Sequence, residues 1–169
     1  MIETLPDGTP LLVRPIRADD KWMLADGLRR LSQTSVQRRF LSPKPRFSRS
    51  ELRYLTEVDG ASHVALVVEN PREPVRRLHA VGRYVRLPDD PRAAEAAIVV
   101  GDDWQGRGVG SLLASALARE ARANGIRRFT ATMASDNRPA LRLMEKLNGH
   151  LERHHGGDGL SELVLDLAA

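Results

Sequence analysis

No stretch of this chain leaves fewer options than Ile98-Val99-Val100-Gly101-Asp102-Asp103-Trp104-Gln105-Gly106-Arg107-Gly108-Val109-Gly110. An apolar run of strand character ends at Val100. A polar turn follows. Three alternate glycines then open a segment in which Val109, Leu112, Leu113, Ala116, Leu117 and Ala121 recur at helical spacing. Glycine permits backbone angles and close approaches that a Cβ forbids. The first turn of a helix carries unpaired N–H groups and a partial positive charge. Strand, glycine turn and helix N-terminus in this order make an anion site that suits a pyrophosphate. Arg107 adds a guanidinium able to make a charge-assisted contact.

Other readings of the turn fit less well. A P-loop ends in Gly-Lys-Ser/Thr, which is absent here. A dinucleotide fingerprint needs G-x-G-x-x-G directly after its strand. Here Ser111 stands in the third glycine's place, five residues separate Val100 from Gly106, and too little chain remains for a second nucleotide-binding half. A ligand-free helix cap needs neither three spaced glycines nor an arginine.

The rest of the pattern supplies a frame. Thr9–Ile16 reads as a strand near an edge, because Pro15 lacks a ladder donor. Helices are expected over Lys21–Leu31, over Ser32–Phe40 and after Ser48, where Glu51 completes a capping-box spacing. Strands follow at His63–Glu69, Leu78–Leu87 and Ala94–Val100. Then come a helix over Gly106–Asn124, a strand at Arg128–Ala134 and a helix over Pro139–Leu147 stopped by Asn148-Gly149. A closing hairpin spans Leu151–His154 and Leu160–Leu167. Hairpin-rich strands followed by a βαβ crossover predict an α/β (α+β) fold. Its sheet is mixed and mostly antiparallel, with six to seven strands flanked by about four to five helices. One domain over residues 1–169 is expected.

Composition removes several chemistries. The chain has no cysteine, so a disulfide framework, a thiol nucleophile and a Cys-ligated metal are excluded. Among the five histidines, His150-Leu151-Glu152-Arg153-His154 echoes a zinc motif, but its acid is in the wrong place and glycines on both sides rule out a long helix, so no metal is expected. No apolar run approaches the roughly 18 residues of a membrane span, and Met1–Gly8 has neither a basic n-region nor an apolar h-region. A cytoplasmic protein with no membrane partner is expected. The formal net charge is +4, carried mainly by scattered arginines, and aromatics are 4%. That combination disfavours single-stranded nucleic acid, which wants stacking platforms, and leaves anionic cofactors or acidic proteins as partners.

The segment Gln105-Gly106-Arg107-Gly108-Val109-Gly110 resembles the Gln/Arg-x-x-Gly-x-Gly/Ala signature of the GCN5-related N-acetyltransferases (GNAT). The flanking strand and helix and Asn137 after the next strand agree. Asp7-Gly8, Arg14-Pro15-Ile16-Arg17, Val81-Gly82-Arg83-Tyr84-Val85 and Ala94-Glu95-Ala96-Ala97 look like the catalytic domain of bacterial protein lysine acetyltransferases. The resemblance implies a sheet splayed between its fourth and fifth strands, with acetyl-CoA in the V and coenzyme A as product. It implies that Ile98, Val99 and Val100 offer backbone bonds to the pantetheine arm. Gln105, Gly106, Arg107, Gly108, Val109, Gly110 and Ser111 would cradle the pyrophosphate, and Asn137 would bond the pantetheine region. A bulge near Val99 and Val100 would aim an N–H at the thioester oxygen.

Transfer to an amine calls for a base, since a lysine ammonium has a pKa near 10.4. Glu95 interrupts the run Ala93–Val100, and period-two alternation puts it on one face with Ala97 and Val99. Partial desolvation beside small alanines would tune it for that role, and the resemblance expects a catalytic Glu at this place. Where many family members carry a tyrosine acid this chain has Met144, and a thiol with a pKa near 8.5 leaves without one. The expected function is direct acetyl transfer to an amine, with a lysine on an acidic-surfaced protein as the leading acceptor. The alternatives are a small-molecule amine acetyltransferase (polyamine, amino acid or aminoglycoside) and a non-catalytic acyl-CoA-binding regulatory module. Monomer and homodimer stay open.

Overall fold

The computed structural model describes residues 1–147 and 149–167. Asn148, part of the expected helix stop, lies outside the described residues. The chain runs β1 (Ile2–Thr4), β2 (Pro10–Pro15), α1 (Lys21–Arg30), α2 (Gln33–Phe40), α3 (Arg49–Thr56), β3 (His63–Glu69), β4 (Ala80–Arg86) and β5 (Ala93–Val100). It continues with α4 (Val109–Ala123), β6 (Arg128–Ala134), α5 (Arg138–Glu145), β7 (Leu151–His155) and β8 (Leu160–Asp166). Short 3-10 turns stand at Ala18–Asp20 and Asp102–Trp104.

The strands form one sheet in the order β1-β2-β3-β4-β5-β6-β8-β7. Every pair is antiparallel except β5–β6. The mixed sheet is as expected, but it has eight strands, not six to seven. The added strand is β1, three residues paired with β2 from Ile2↔Leu12 to Thr4↔Pro10. Three residues are too few to carry a readable period, and only pairing with β2 makes them a strand. The long helix also differs from expectation. It begins at Val109 rather than Gly106, because Gly106 and Gly108 hold φ of +75° and +94°.

Two apolar layers clamp the sheet. On one face Val109, Leu113, Ala116, Leu117 and Ala121 of α4 pack on Leu11, Val13, Leu66, Val68 and Tyr84. Each buried leucine of that stripe is worth about 1.5–3 kcal/mol. Gly82 admits α4 closely, since a Cβ there would stand 3.0 Å from Leu113 Cγ. On the other face Met23 and Leu24 of α1 and Leu52 and Leu55 of α3 cover Ala65, Val67 and Val81. The capping box at the start of α3 is formed: Glu51 N–H donates to Ser48 Oγ (3.2 Å) and Ser48 N–H to Glu51 Oε2 (2.7 Å).

A buried ion cluster ties β2 to β3 and to the entry of α1. Arg14 donates to both carboxylate oxygens of Asp20 (2.7 and 2.8 Å) and to Glu69 Oε1 (2.6 Å). Arg76 grips Glu69 from outside with two bonds of 2.9 Å. Burial alone would push the Asp20 carboxyl up, but bonds from Arg14 and the Arg17 N–H outweigh it and hold it below the ordinary range. Arg76 and Arg14 hold Glu69 low as well. The motif Arg14-Pro15-Ile16-Arg17 is thus anchored by a structural demand of its own.

Candidate active site

The site is a gap in the sheet. Strand β5 pairs with β4 over its whole useful length, from Ala80↔Val100 to Arg86↔Ala94. With β6 it pairs only at Ala93↔Arg128, Ala94↔Phe129 and Glu95↔Thr130. Beyond Glu95 the two strands part, which is the expected splay between the fourth and fifth of the strands read from sequence. A cleft of about 100 Å³ fills the opening. Its walls include Ala96 and Ile98 of β5, Ala131 and Met133 of β6, Asn137, and Met144 of α5.

The ladder bonds at the two ends of β5 fix which backbone groups face the gap. Gly101 N–H donates to His79 C=O (2.8 Å), and Leu87 N–H donates to Ala93 C=O (2.9 Å). Antiparallel pairs alternate, so the odd-numbered residues of β5 turn their amides to β4. Ala96, Ile98 and Val100 turn theirs to the gap. Val99 therefore differs from expectation: its amide belongs to the β4 pair, and its side chain packs in the α1 layer. The expected bulge is absent, because every residue from Ala94 to Val100 has one partner on β4. The opening comes from the departure of β6 instead. Ala96 joins Ile98 and Val100 in facing the gap, in place of the expected Val99.

At the outer end of the gap lies the glycine turn. Gly108 is the N-cap of α4, and Val109, Gly110 and Ser111 form its first turn. Gly110 is in ordinary contact with its surroundings, since a Cβ there would lie 3.6 Å from Val100 Cγ2. Gln105 Nε2 donates to Val100 C=O (3.0 Å) and Ser35 Oγ (3.1 Å). Arg107 is already engaged: it donates to Asp7 Oδ2 (2.7 Å) and Thr9 Oγ1 (3.2 Å) and lies 4.4 Å over the Trp104 ring. The Thr9 hydroxyl and Arg107 together pull the Asp7 carboxyl down to about 2. Lys146 Nζ reaches Ser111 Oγ at 3.4 Å and brings a second cation to the turn. Asp102 accepts from Ser32 N–H, Ser32 Oγ and Ser35 Oγ at 2.7–2.9 Å, which clips α2 to the turn. Neither Lys146 nor this clip was legible in sequence, since each joins residues 35 to 70 positions apart.

Asn137 is buried and caps α5, its Oδ1 accepting from Ala140 N–H at 3.3 Å. Its Nδ2 has no protein partner among the described residues, so it can donate into the cleft. At the inner end stands Glu95. It shares a face with Ala97 and Val99, opposite α4, as the alternation predicts. The expected desolvation is not found: Glu95 is exposed and makes no ion pair among the described residues. It sits at the rim, where β6 has begun to leave. Tyr84 lies on the α4 face, buried, bonded to Ala61 C=O and Asn124 Nδ2. A larger cavity of about 390 Å³ lies between α1 and the Asp102–Trp104 turn and meets β5 only at Val99. Among the described residues no group of three metal-ligating side chains is present, and no helix is long and apolar enough to cross a membrane.

The gap of free backbone amides thus runs from the glycine turn at one end to the Glu95 carboxylate at the other. Residues 28–150 match the acetyltransferase (GNAT) family, and the chain belongs to that family. It is 36% identical over 158 residues to acetyltransferase Pat of Mycolicibacterium smegmatis, covering 92% of this chain and 46% of that protein. The chain thus spans about half the length of that relative. The crystal structure of the GNAT domain of S. lividans PAT superposes with a TM-score of 0.88 at 31% identity, covering 99% of this chain and 96% of that one. A putative acetyltransferase from Salmonella typhimurium, solved with its cofactor acetyl-CoA, shares the fold at a TM-score of 0.73 and 16% identity, covering 94% of each chain.

Proposed function

We propose that the chain acetylates lysine side chains of other proteins by direct transfer, with Glu95 as general base. One observation carries this reading: the open run of β5 starts at the glycine turn and ends at the Glu95 carboxylate. From Val100 to Glu95 the strand covers about 16 Å, a run suited to an extended pantetheine arm. Bound acetyl-CoA supplies an activated acetyl group as its thioester. The N–H groups at the start of α4 meet the pyrophosphate, with Lys146 and Arg107 beside them. The amides of Ala96, Ile98 and Val100 align the arm, and Asn137 Nδ2 donates to it. Gln105 holds the turn against Val100.

A lysine ammonium must lose a proton before its nitrogen can attack. Glu95 takes that proton, and its exposure lets water carry the proton away. Met144 cannot donate a proton, and Tyr84 is sealed on the other face, so the departing thiolate leaves without a dedicated acid. The resemblance to bacterial protein lysine acetyltransferases and the likeness to Pat support a protein acceptor. So does the net charge of +4, which steers acidic surfaces toward the chain. The test compares acetyl transfer to a bacterial protein extract with transfer to spermidine, aminoglycosides and free amino acids. Labelled protein lysines above the non-enzymatic background are expected, with a rate that falls as salt shortens the Debye length below about 10 Å. Rapid turnover of a small amine with no labelled protein would reject the protein acceptor.

A further inference from the structure

Arg83 of β4 is only 7% exposed, yet it has no carboxylate partner among the described residues. Its Nη1 meets His63 Nε2 at 3.0 Å, and its Nη2 donates to Leu55 C=O at 3.2 Å. A guanidinium can only donate, so His63 accepts through an unprotonated Nε2. Both partners are therefore neutral. Arg38 and Arg39 of α2 line the cleft beside Ala96 and Ala97. Arg39 lies over the Phe40 ring at 5.0 Å and likewise makes no ion pair among the described residues. Arg14, as deeply buried as Arg83, shows the ordinary arrangement, with two carboxylates around one guanidinium.

Arg83 and Arg39 both neighbour the stretch of β5 that carries Glu95 and Ala97. Arg83 stands opposite Ala97 across the β4–β5 ladder, and Val85, two residues on, stands opposite Glu95. Ala97 and Arg39 line the same cleft. Each guanidinium feels its neighbours: burial and then the charge of Arg39 pull Arg83 down to about 10, while Glu95 partly offsets the effect of burial on Arg39. A guanidinium as buried as Arg83 with no carboxylate partner is costly to keep, and the like charge of the half-buried Arg39 adds to that cost. The two would also repel the ammonium of any acceptor approaching Glu95. A carboxylate arriving with the acceptor removes both penalties at once. Arg83 Nε has no protein partner among the described residues, so a donor remains for it.

We propose that Arg39 and Arg83 form a carboxylate subsite of the acceptor site, selecting lysines that carry an acidic group close to the reacting amine. This rests on the reading that the acceptor amine reacts at Glu95. The carboxylate has two possible sources, an acidic side chain flanking the lysine in a protein and the α-carboxylate of free lysine. Arg39 lies in the cleft wall and contacts it first. Arg83 holds the charge from behind with its remaining donor.

The test uses the full chain and acetyl-CoA and follows coenzyme A release. Lysine peptides flanked by Asp or Glu are compared with peptides carrying Asn or Gln at the same positions, and lysine is compared with lysine amide. An acidic peptide is expected to have a kcat/KM at least tenfold higher than its amide twin. In Arg39→Gln and Arg83→Met that ratio should fall toward one, through a higher KM for the acidic peptide. Arg83→Lys should restore only part of it, since an ammonium lacks the planar fork. A preference seen for lysine over lysine amide but not among the peptides assigns the subsite to a free α-carboxylate. Equal kcat/KM for acidic and amide acceptors of both kinds in the unaltered protein overturns the proposal without reliance on any variant's folding. Calorimetry with glutarate and glutaramide separates the two readings. Glutarate binding that is lost in Arg39→Gln, with no lysine acceptor turned over, keeps the subsite and removes the lysine reading. Lysine peptides that react without preference, with no glutarate binding, do the reverse.

Discussion

Gly108 is where the pyrophosphate assignment is most exposed to test. It caps α4 at φ +94° and ψ −6°, a region that costs an L-residue about 1–2 kcal/mol. A Cβ would find room, since the nearest atom is Leu5 Cδ2 at 4.0 Å. The penalty of Gly108→Ala is therefore conformational rather than steric. If the turn persists, stability falls by about 1–2 kcal/mol, or roughly 2–8 °C in Tm for a chain of this length. If the turn relaxes, the N–H row at the start of α4 loses its aim. Loss of one hydrogen bond to a charged group is worth about 1.5–3 kcal/mol, which weakens acetyl-CoA binding by roughly 10- to 150-fold. Gly108→Val should be worse, because a β-branched residue at positive φ is a true outlier. Gly125→Ala is the control: it also holds a positive φ, +79°, with open space for a Cβ, but it follows the far end of α4. Calorimetry with acetyl-CoA on variants shown to be folded by circular dichroism, together with thermal unfolding, reads the difference. Wild-type affinity and wild-type Tm in Gly108→Ala, or an equal loss of affinity in Gly125→Ala, would refute the reasoning.

Further expectations concern the base, the ion cluster and the clip on the turn. Glu95→Gln keeps shape and removes the base, so kcat should fall about 10²- to 10⁴-fold at neutral pH with acetyl-CoA affinity little changed; steady-state kinetics at full rate would place the base elsewhere. Arg14→Met leaves Asp20 and Glu69 buried without their shared guanidinium and should cost about 3–5 kcal/mol at pH 7 in urea unfolding. Both carboxyls lie below their unfolded values, so they stabilise the native protein above about pH 5 and lose that contribution as pH falls through the folded-state values. The deficit of Arg14→Met should accordingly shrink in acid, and a deficit that grows there would contradict the pairing. Asp102→Ala removes the acceptor of three bonds that hold α2 to the turn; a loss of about 1.5–3 kcal/mol by thermal unfolding is expected, together with a raised KM for acetyl-CoA.

What local chemistry dictates was legible from the amino-acid order. Apolar alternation marked β3 and β5, the helical stripe marked α4, and Ser48 with Glu51 marked the entry of α3, because each signal lies within one element. The glycine turn and the face carrying Glu95 followed from the same short-range rules. Tertiary structure decided everything that depends on a partner distant in sequence. β1 is a strand only because β2 lies beside it. Pairing register, not residue type, turned the Val99 amide to β4 and left those of Ala96, Ile98 and Val100 facing the gap. Arg107 met Asp7 and Lys146 met Ser111 across loops that no periodicity connects. Arginines scattered along the sequence became two kinds of residue: Arg14, closed by carboxylates from other elements, and Arg83, buried against His63 and the Leu55 carbonyl with none. A side chain's type sets which bonds it can make, but only the packed fold sets which partners come within reach and how much water is left to replace them.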